Sequence, residues 1–173
     1  ITPTFTGSAS QSIFIVARIN GAPNEFSSLM SYDNAGNDWQ FDAGVDGQFY
    51  GRINISDGVY TPPLNVDLIE ANDQGLRLYE IHINEADDSV ATFINARPLS
   101  SGSGHADLQE ANSVYHLALN RGNDQSLSAE IAEIIAYDEF IAGADRAAIR
   151  AELLSDYGLS EIEYVWAGNG ADA

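Results

Sequence analysis

Residues 12–18 read Ser-Ile-Phe-Ile-Val-Ala-Arg, an almost unbroken apolar run with β-branched and aromatic members. A short run of this kind predicts a well-buried strand. The cluster Asn20-Gly21-Ala22-Pro23-Asn24 ends it, and residues 26–32 form the next predicted strand. The following Asp-Asn-Ala-Gly-Asn-Asp, residues 33–38, tolerates φ > 0 and bonds its own backbone, so it predicts a hairpin turn into residues 39–41. Asp46-Gly47 is a second hairpin signal, leading into residues 48–55.

After Pro62-Pro63 comes a strand over residues 76–84, with Leu76, Leu78, Tyr79, Ile81 and Ile83 read as its apolar face and Arg77, Glu80, His82 and Asn84 as its polar one. Glu85-Ala86-Asp87-Asp88 turns the chain into residues 89–95, which Asn95-Ala96-Arg97-Pro98 closes. Residues 100–104, Ser-Ser-Gly-Ser-Gly, read as a flexible loop. Strands over 114–120 and 127–137, divided by the polar turn Arg121-Gly122-Asn123-Asp124, complete the set. One helix is expected, over residues 143–154, with Ile149, Leu153 and Leu154 on one side, Gly158 as its stop, and a place at an edge or end of the sheets. Short strands at regular spacing predict an all-β sandwich or barrel. The 173 residues fit a single domain, 1–173, large enough to bury a core.

Charge narrows the partners. There are 26 Asp and Glu against seven basic residues, all Arg, for a formal net charge of -19. So negative a surface repels phosphate backbones and anionic lipid, which argues against nucleic acid and polybasic membrane binding. No stretch is long and apolar enough for a membrane span. With no cysteine, thiolate metal sites, disulfides and Cys nucleophiles are excluded. The chain begins at Ile1, so it is read as part of a larger or matured polypeptide with neighbouring domains.

Residues 129–138, Ala-Glu-Ile-Ala-Glu-Ile-Ile-Ala-Tyr-Asp, followed by Asp145-Arg146 and then Leu153-Leu154-Ser155-Asp156-Tyr157-Gly158-Leu159, resemble the closing strand, linker and helix of laminin-G-like, concanavalin A-like jelly-roll domains. Residues 79–84 followed by 91–98 are similar to a paired-strand stretch of the same domains, and the resemblance extends over roughly residues 12–159. It implies a two-sheet antiparallel jelly roll with one short C-terminal helix. It also implies secreted modules that bind glycans, peptides or proteins, sometimes through calcium. One departure is that only about a dozen residues precede the strand at 12–18, where such domains usually carry several strands. Together with the acidic composition, the resemblance places the chain on the bacterial cell surface, as a calcium-dependent recognition module of a large adhesin.

Glycoside hydrolases share this general fold, and their chemistry needs two carboxylates about 5 to 9.5 Å apart in one cleft. Glu130 and Glu133 are the nearest pair, but residues three apart in a regular strand point to opposite faces, so the chain is read as non-enzymatic. A Ser-His-acid set is compatible with the composition, yet no Gly-x-Ser-x-Gly elbow marks a nucleophile. His82, His105 and His116 have no metal-ligand spacing and are read as ordinary hydrogen-bonded or surface residues.

Calcium takes six to eight hard oxygen ligands, and Asp33, Asn37, Asp38, Asp42 and Asp46 are the densest supply of them. Ordinary hairpin turns use the same residue types. For ligand contact, aromatic and Arg side chains beside loops give large rigid contact area, which points to Trp39, Tyr50, Arg52 and Tyr60, although such aromatics are more often core residues. The expected partner is a glycan or a short peptide on another cell surface. A structural spacer that binds nothing small is the alternative, and a polysaccharide hydrolase stands third.

Overall fold

The computed structural model describes residues 10–21, 24, 26–33, 39–42, 52–55, 75–103, 114–120 and 125–161. Among them are β1 (Gln11–Ile19), β2 (Ser28–Asp33), β3 (Trp39–Asp42), β4 (Arg52–Ile55), β5 (Arg77–Asn84), β6 (Ser89–Ile94), β7 (Arg97–Ser103), β8 (Val114–Leu117), β9 (Ala129–Tyr137) and α1 (Gly143–Asp156). The strands form a five-stranded sheet, β7-β6-β5-β1-β9, and a four-stranded sheet, β4-β3-β2-β8. Every pairing is antiparallel. The fold is a two-sheet jelly-roll sandwich with one helix. Ile13, Ile15, Tyr79 and Ile81 of the first sheet pack against Leu29, Tyr32, Trp39 and Phe41 of the second in one core.

The apolar run at 12–18 has a direct structural counterpart. β1 lies between β5 and β9, with Ile15 opposite both Tyr79 and Ile134. Its inward residues join the core, while Phe14 and Val16 point the other way and pack with Leu78, Leu153 and Leu154. Burying each such side chain contributes about 1.5–3 kcal/mol, so this outer face needs a cover. Helix α1 supplies it. The helix therefore lies on the face of the five-stranded sheet and not at an edge or end of the sandwich, because the second apolar stripe of β1 and β5 leaves the exposed surface there. Gly158, at φ +62, ends it. Gly158 N donates to Ser155 O (3.2 Å) and Leu159 N to Leu154 O (2.7 Å), a Schellman closure that returns Leu159 to the apolar patch.

One strand expectation holds and one changes. The stretch from Asn95 ends the strand over 89–94, as expected. Asn95 and Ala96, at φ 43 and 69, form a two-residue turn, with Ile94 paired to Arg97, and the chain continues as β7. Asn95 ties the turn to β5, its Oδ1 accepting from Leu78 N (2.7 Å) and its own N donating to Leu78 O (2.8 Å). Of the expected loop at 100–104, residues 100–103 belong to β7, and the buried Ser100 hydroxyl bonds Thr92 Oγ1 at 2.8 Å. Small polar residues read as loop in isolation. Here they suit a strand because a polar partner meets them across the ladder.

Candidate functional site

Alternation along β2 and β3 sends Tyr32, Trp39 and Phe41 into the core, and the intervening positions to the opposite side of the four-stranded sheet. The register aligns His116, Ser31, Gln40 and Asn54 in one row across all four strands. That face is polar but closed over at its centre, since Ser31 and Gln40 are 0% and 2% exposed. Ser31 Oγ donates to Leu119 O at 2.8 Å, and Gln40 Nε2 to Phe26 O at 3.4 Å.

Around this row lie some of the residues expected to bind. Asp42 pairs in register with both Ser28 and Arg52 at one end of the sheet, whereas Asp33 ends β2 beside Val114 at the other. Trp39 pairs with Ile55 at the Asp33 end. Tyr50, Tyr60, Asn37, Asp38 and Asp46 lie outside the described residues.

Two expectations are corrected by this register. Trp39 is a core residue, 0% exposed, stacked on Tyr32 (centroids 6.3 Å apart, 14° between planes) and edge-on to Tyr115 at 6.4 Å. It sits at a position where β3 alternates inward, so it offers no ligand a surface. Asp33 and Asp42 are separated by about 13 Å along the strand direction, four residues at about 3.3 Å each. Calcium–oxygen bonds are about 2.3–2.6 Å, so these two aspartates cannot share one ion. Of the expected acidic set, Asp33 and Asp42 stand at opposite ends of the β2–β3 pair. Among the described residues no cluster of three or more His, Asp or Glu side chains is placed to hold a metal.

The five-stranded sheet carries a second polar constellation on the face under α1. Glu80 and His82, 0% and 1% exposed, alternate with the core residues Tyr79, Ile81 and Ile83. The Glu80 carboxylate receives Arg150 Nε on Oε1 (2.7 Å) and Arg150 Nη2 on Oε2 (2.8 Å), a bidentate pair from β5 to α1. His82 Nε2 lies 3.1 Å from Glu80 Oε2, and Nδ1 lies 3.1 Å from Ser12 Oγ, which in turn accepts from Ile141 N at 2.8 Å. The Arg146 and Arg150 guanidinium groups each stand 5.3 Å over the Phe93 ring.

Burial alone pushes the Glu80 carboxyl up, but hydrogen bonds from His82 and Arg150 and the Arg150 charge together hold it below its ordinary value. Burial pushes His82 down, against the pull of Glu80 and with help from Arg146 and Arg150, so the ring is held below its ordinary value. Burial pushes Arg150 down, but the hydrogen bonds and charge of Glu80, with the charge of Glu161, together move it up.

Ser12, His82 and Glu80 have the composition of a hydrolase triad. Ser12, however, is 0% exposed, its Oγ already takes a backbone N–H, and Glu80 is occupied by Arg150, so a substrate carbonyl has no approach. Glu80 and His82 are neighbours on one face of β5, but nothing in the local sequence joins them to Ser12 or Arg150, each bonded across 70 positions.

A bulge corrects the strand argument about Glu130 and Glu133. Val16 faces Glu133 while Ala17 faces Ile131, leaving Ala132 as the extra residue of β9. Ile131 and Ile134 both pack on the inner core, so Glu130 and Glu133 lie on the same, outer face. Glu130 meets Arg18 (3.7 Å) and Asn20 (3.4 Å). Glu133 Oε2 accepts from Tyr157 OH at 3.0 Å, a bond that raises the Tyr157 phenol above its ordinary value.

Among the described residues no helix is long and apolar enough to cross a membrane. No protein-family model and no curated protein matches the sequence. Solved structures do match. Domain 4 of the extracellular arabinanase AbnA from Geobacillus stearothermophilus, in complex with arabinotriose, superposes with a TM-score of 0.59 at 12% identity, over 81% of this chain and 66% of that one. The sialidase module CBM40 of Ruminococcus gnavus, bound to α2,3-sialyllactose, gives 0.55 at 13% identity, over 83% of each chain. The SAP-like pentraxin of Limulus polyphemus gives 0.52 at 12% identity, over 80% and 68%. Of the Trypanosoma rangeli sialidase chains that it also matches, the chain spans about a quarter, 23% in one case. At these identities the likeness is one of fold, and the fold is the jelly-roll sandwich.

Proposed function

We propose that the chain is a non-catalytic glycan-recognition module of a bacterial surface adhesin, assisted by calcium. The observation that carries this reading is the asymmetry of coverage. The chain matches an isolated sugar-bound module over 83% of both chains but only 23% of a sialidase. The buried, fully engaged state of Glu80, His82 and Ser12 supports recognition over hydrolysis. In this reading the ligand end lies where Asp42 and Arg52 pair, with Tyr50 and Tyr60 contributing from the adjoining segments. Calcium sits with Asp33, Asn37 and Asp38 or with Asp42 and Asp46, neutralising part of the acidic surface and ordering sugar hydroxyls. Trp39 has no part in it.

The test is a mixed glycan and short-peptide array probed in millimolar calcium and again in EDTA. Hits confined to glycans and lost in EDTA are expected. Peptide hits alone would replace the ligand class, and a blank array in both conditions would favour a structural spacer. Calcium titration of Asp38→Ala and Asp42→Ala then assigns the ion, since each variant removes one of the two groups. Unchanged affinity in both would refute the calcium assignment.

A further inference from the structure

With His82 neutral, the hydrogen bonds beneath α1 admit one arrangement of protons. Glu80, held bidentately by Arg150, is ionised and can only accept, so His82 Nε2 carries a proton and donates to it. Ser12 Oγ accepts from Ile141 N, so its own O–H is left to donate to His82 Nδ1. The result is a single directed chain: Ile141 N–H to Ser12, Ser12 O–H to His82, His82 N–H to Glu80, with Arg150 closing the far end. Both ends of this chain are the attachments of α1, through the segment before it (Ile141) and through its own middle (Arg150).

We propose that His82 is an acid-sensitive latch whose protonation releases α1 from the five-stranded sheet while the sandwich itself stays folded. A proton on Nδ1 makes that nitrogen a donor. Ser12 Oγ then faces two donors, Ile141 N–H and His82 Nδ1–H, and its own hydroxyl proton loses its acceptor in a site with no solvent access. The same proton adds a positive charge to a buried ring already faced by two guanidinium groups, Arg146 and Arg150, and a single carboxylate, Glu80. Groups facing the ring come from every neighbouring element. These are Glu80 of β5, Ser12 and Phe14 of β1, Phe93 of β6, Phe140 of the linker, and Arg146 and Arg150 of α1. Tyr137 of β9 reaches the cluster through Phe14, and Glu161 acts on Arg150. Only Glu80 favours the charged ring, and it is shared with Arg150.

The sign follows from linkage. His82 and Glu80 both titrate below their ordinary values in the folded protein. The released state therefore takes up protons first, and the docked state loses its advantage as pH falls below the ordinary histidine range. Helix α1 is the natural element to leave. Among its residues only Leu153 and Leu154 are buried, while β1 is buried along nearly its whole length.

Hydrogen exchange of the whole chain, corrected for intrinsic rates, at about pH 7.5 and about pH 5 tests this, the two conditions lying on either side of the ordinary histidine pKa. Protection over 143–156 is expected to fall roughly tenfold or more at the lower pH while 11–19 stays protected. In His82→Gln, which cannot take up the proton, the onset of α1 release should move at least about one pH unit lower. Because that variant could fold poorly, the wild-type imidazole titration followed by NMR is the second measure, and its midpoint should coincide with release. PH-independent protection of α1, loss of α1 and β1 in one step, or a release midpoint that tracks neither the imidazole titration nor the substitution would overturn the proposal.

Discussion

On the five-stranded sheet, the outward residues of β1 and β5 include Ser12, Phe14, Val16, Leu78, Glu80 and His82, covered by α1 and the segment leading into it. On the four-stranded sheet the corresponding row is Ser31, Gln40 and His116, with Asp33, Asp42 and Arg52 at neighbouring register positions. Both rows are polar in part, yet they do different work. The first is a closed circuit of charges that fastens a helix. In the second, Ser31 and Gln40 bond the Leu119 and Phe26 carbonyls, and acidic and basic positions lie at its ends. A buried charge cluster with every partner present is an architectural device, and the proposed function assigns recognition to the other sheet.

Substitutions on the two faces should separate these roles. Glu80→Ala leaves Arg150 and His82 buried without their carboxylate, and should cost about 3–5 kcal/mol in urea denaturation. Any glycan binding should persist in the folded fraction, and parallel loss of binding at full folding would break the division between the faces. Ser31→Ala, which removes one buried hydroxyl bond to Leu119 O, should cost about 1 kcal/mol by the same measurement. Arg52→Ala is expected to change stability by less than about 0.5 kcal/mol while abolishing binding on the array, and a wild-type affinity would remove Arg52 from the proposed site.

Much of this architecture is written locally. The run at 12–18 announces a well-buried strand, and Gly158 announces the end of α1. What escapes local reading depends on partners distant in sequence. Glu80 and His82 look like solvent-facing residues of an amphipathic strand until α1 arrives from 70 positions away to cover them. Trp39 reads as a surface aromatic beside an acidic turn, and only the register of β3 turns it inward. The strand at 97–103 is masked by Pro98 and a serine-glycine run that satisfies the rules for a loop. Spacing arguments fail at Glu130 and Glu133 because a bulge adds a residue that composition does not reveal. The candidate ligand site is legible only as residue types near turns, since its geometry depends on which strand ends the register brings together.

The bulge at Ala132 also bears on how the molecule behaves in company. Among the described residues β9 forms an outer strand of its sheet, nine residues long and rich in isoleucine, the kind of border on which another chain can template itself. Its pleat is interrupted at Ala132, and two glutamates flank the interruption on one face of the sheet. An incoming strand would lose register midway and bring its backbone past both carboxylates, so crowded copies of this module should resist edge-to-edge aggregation.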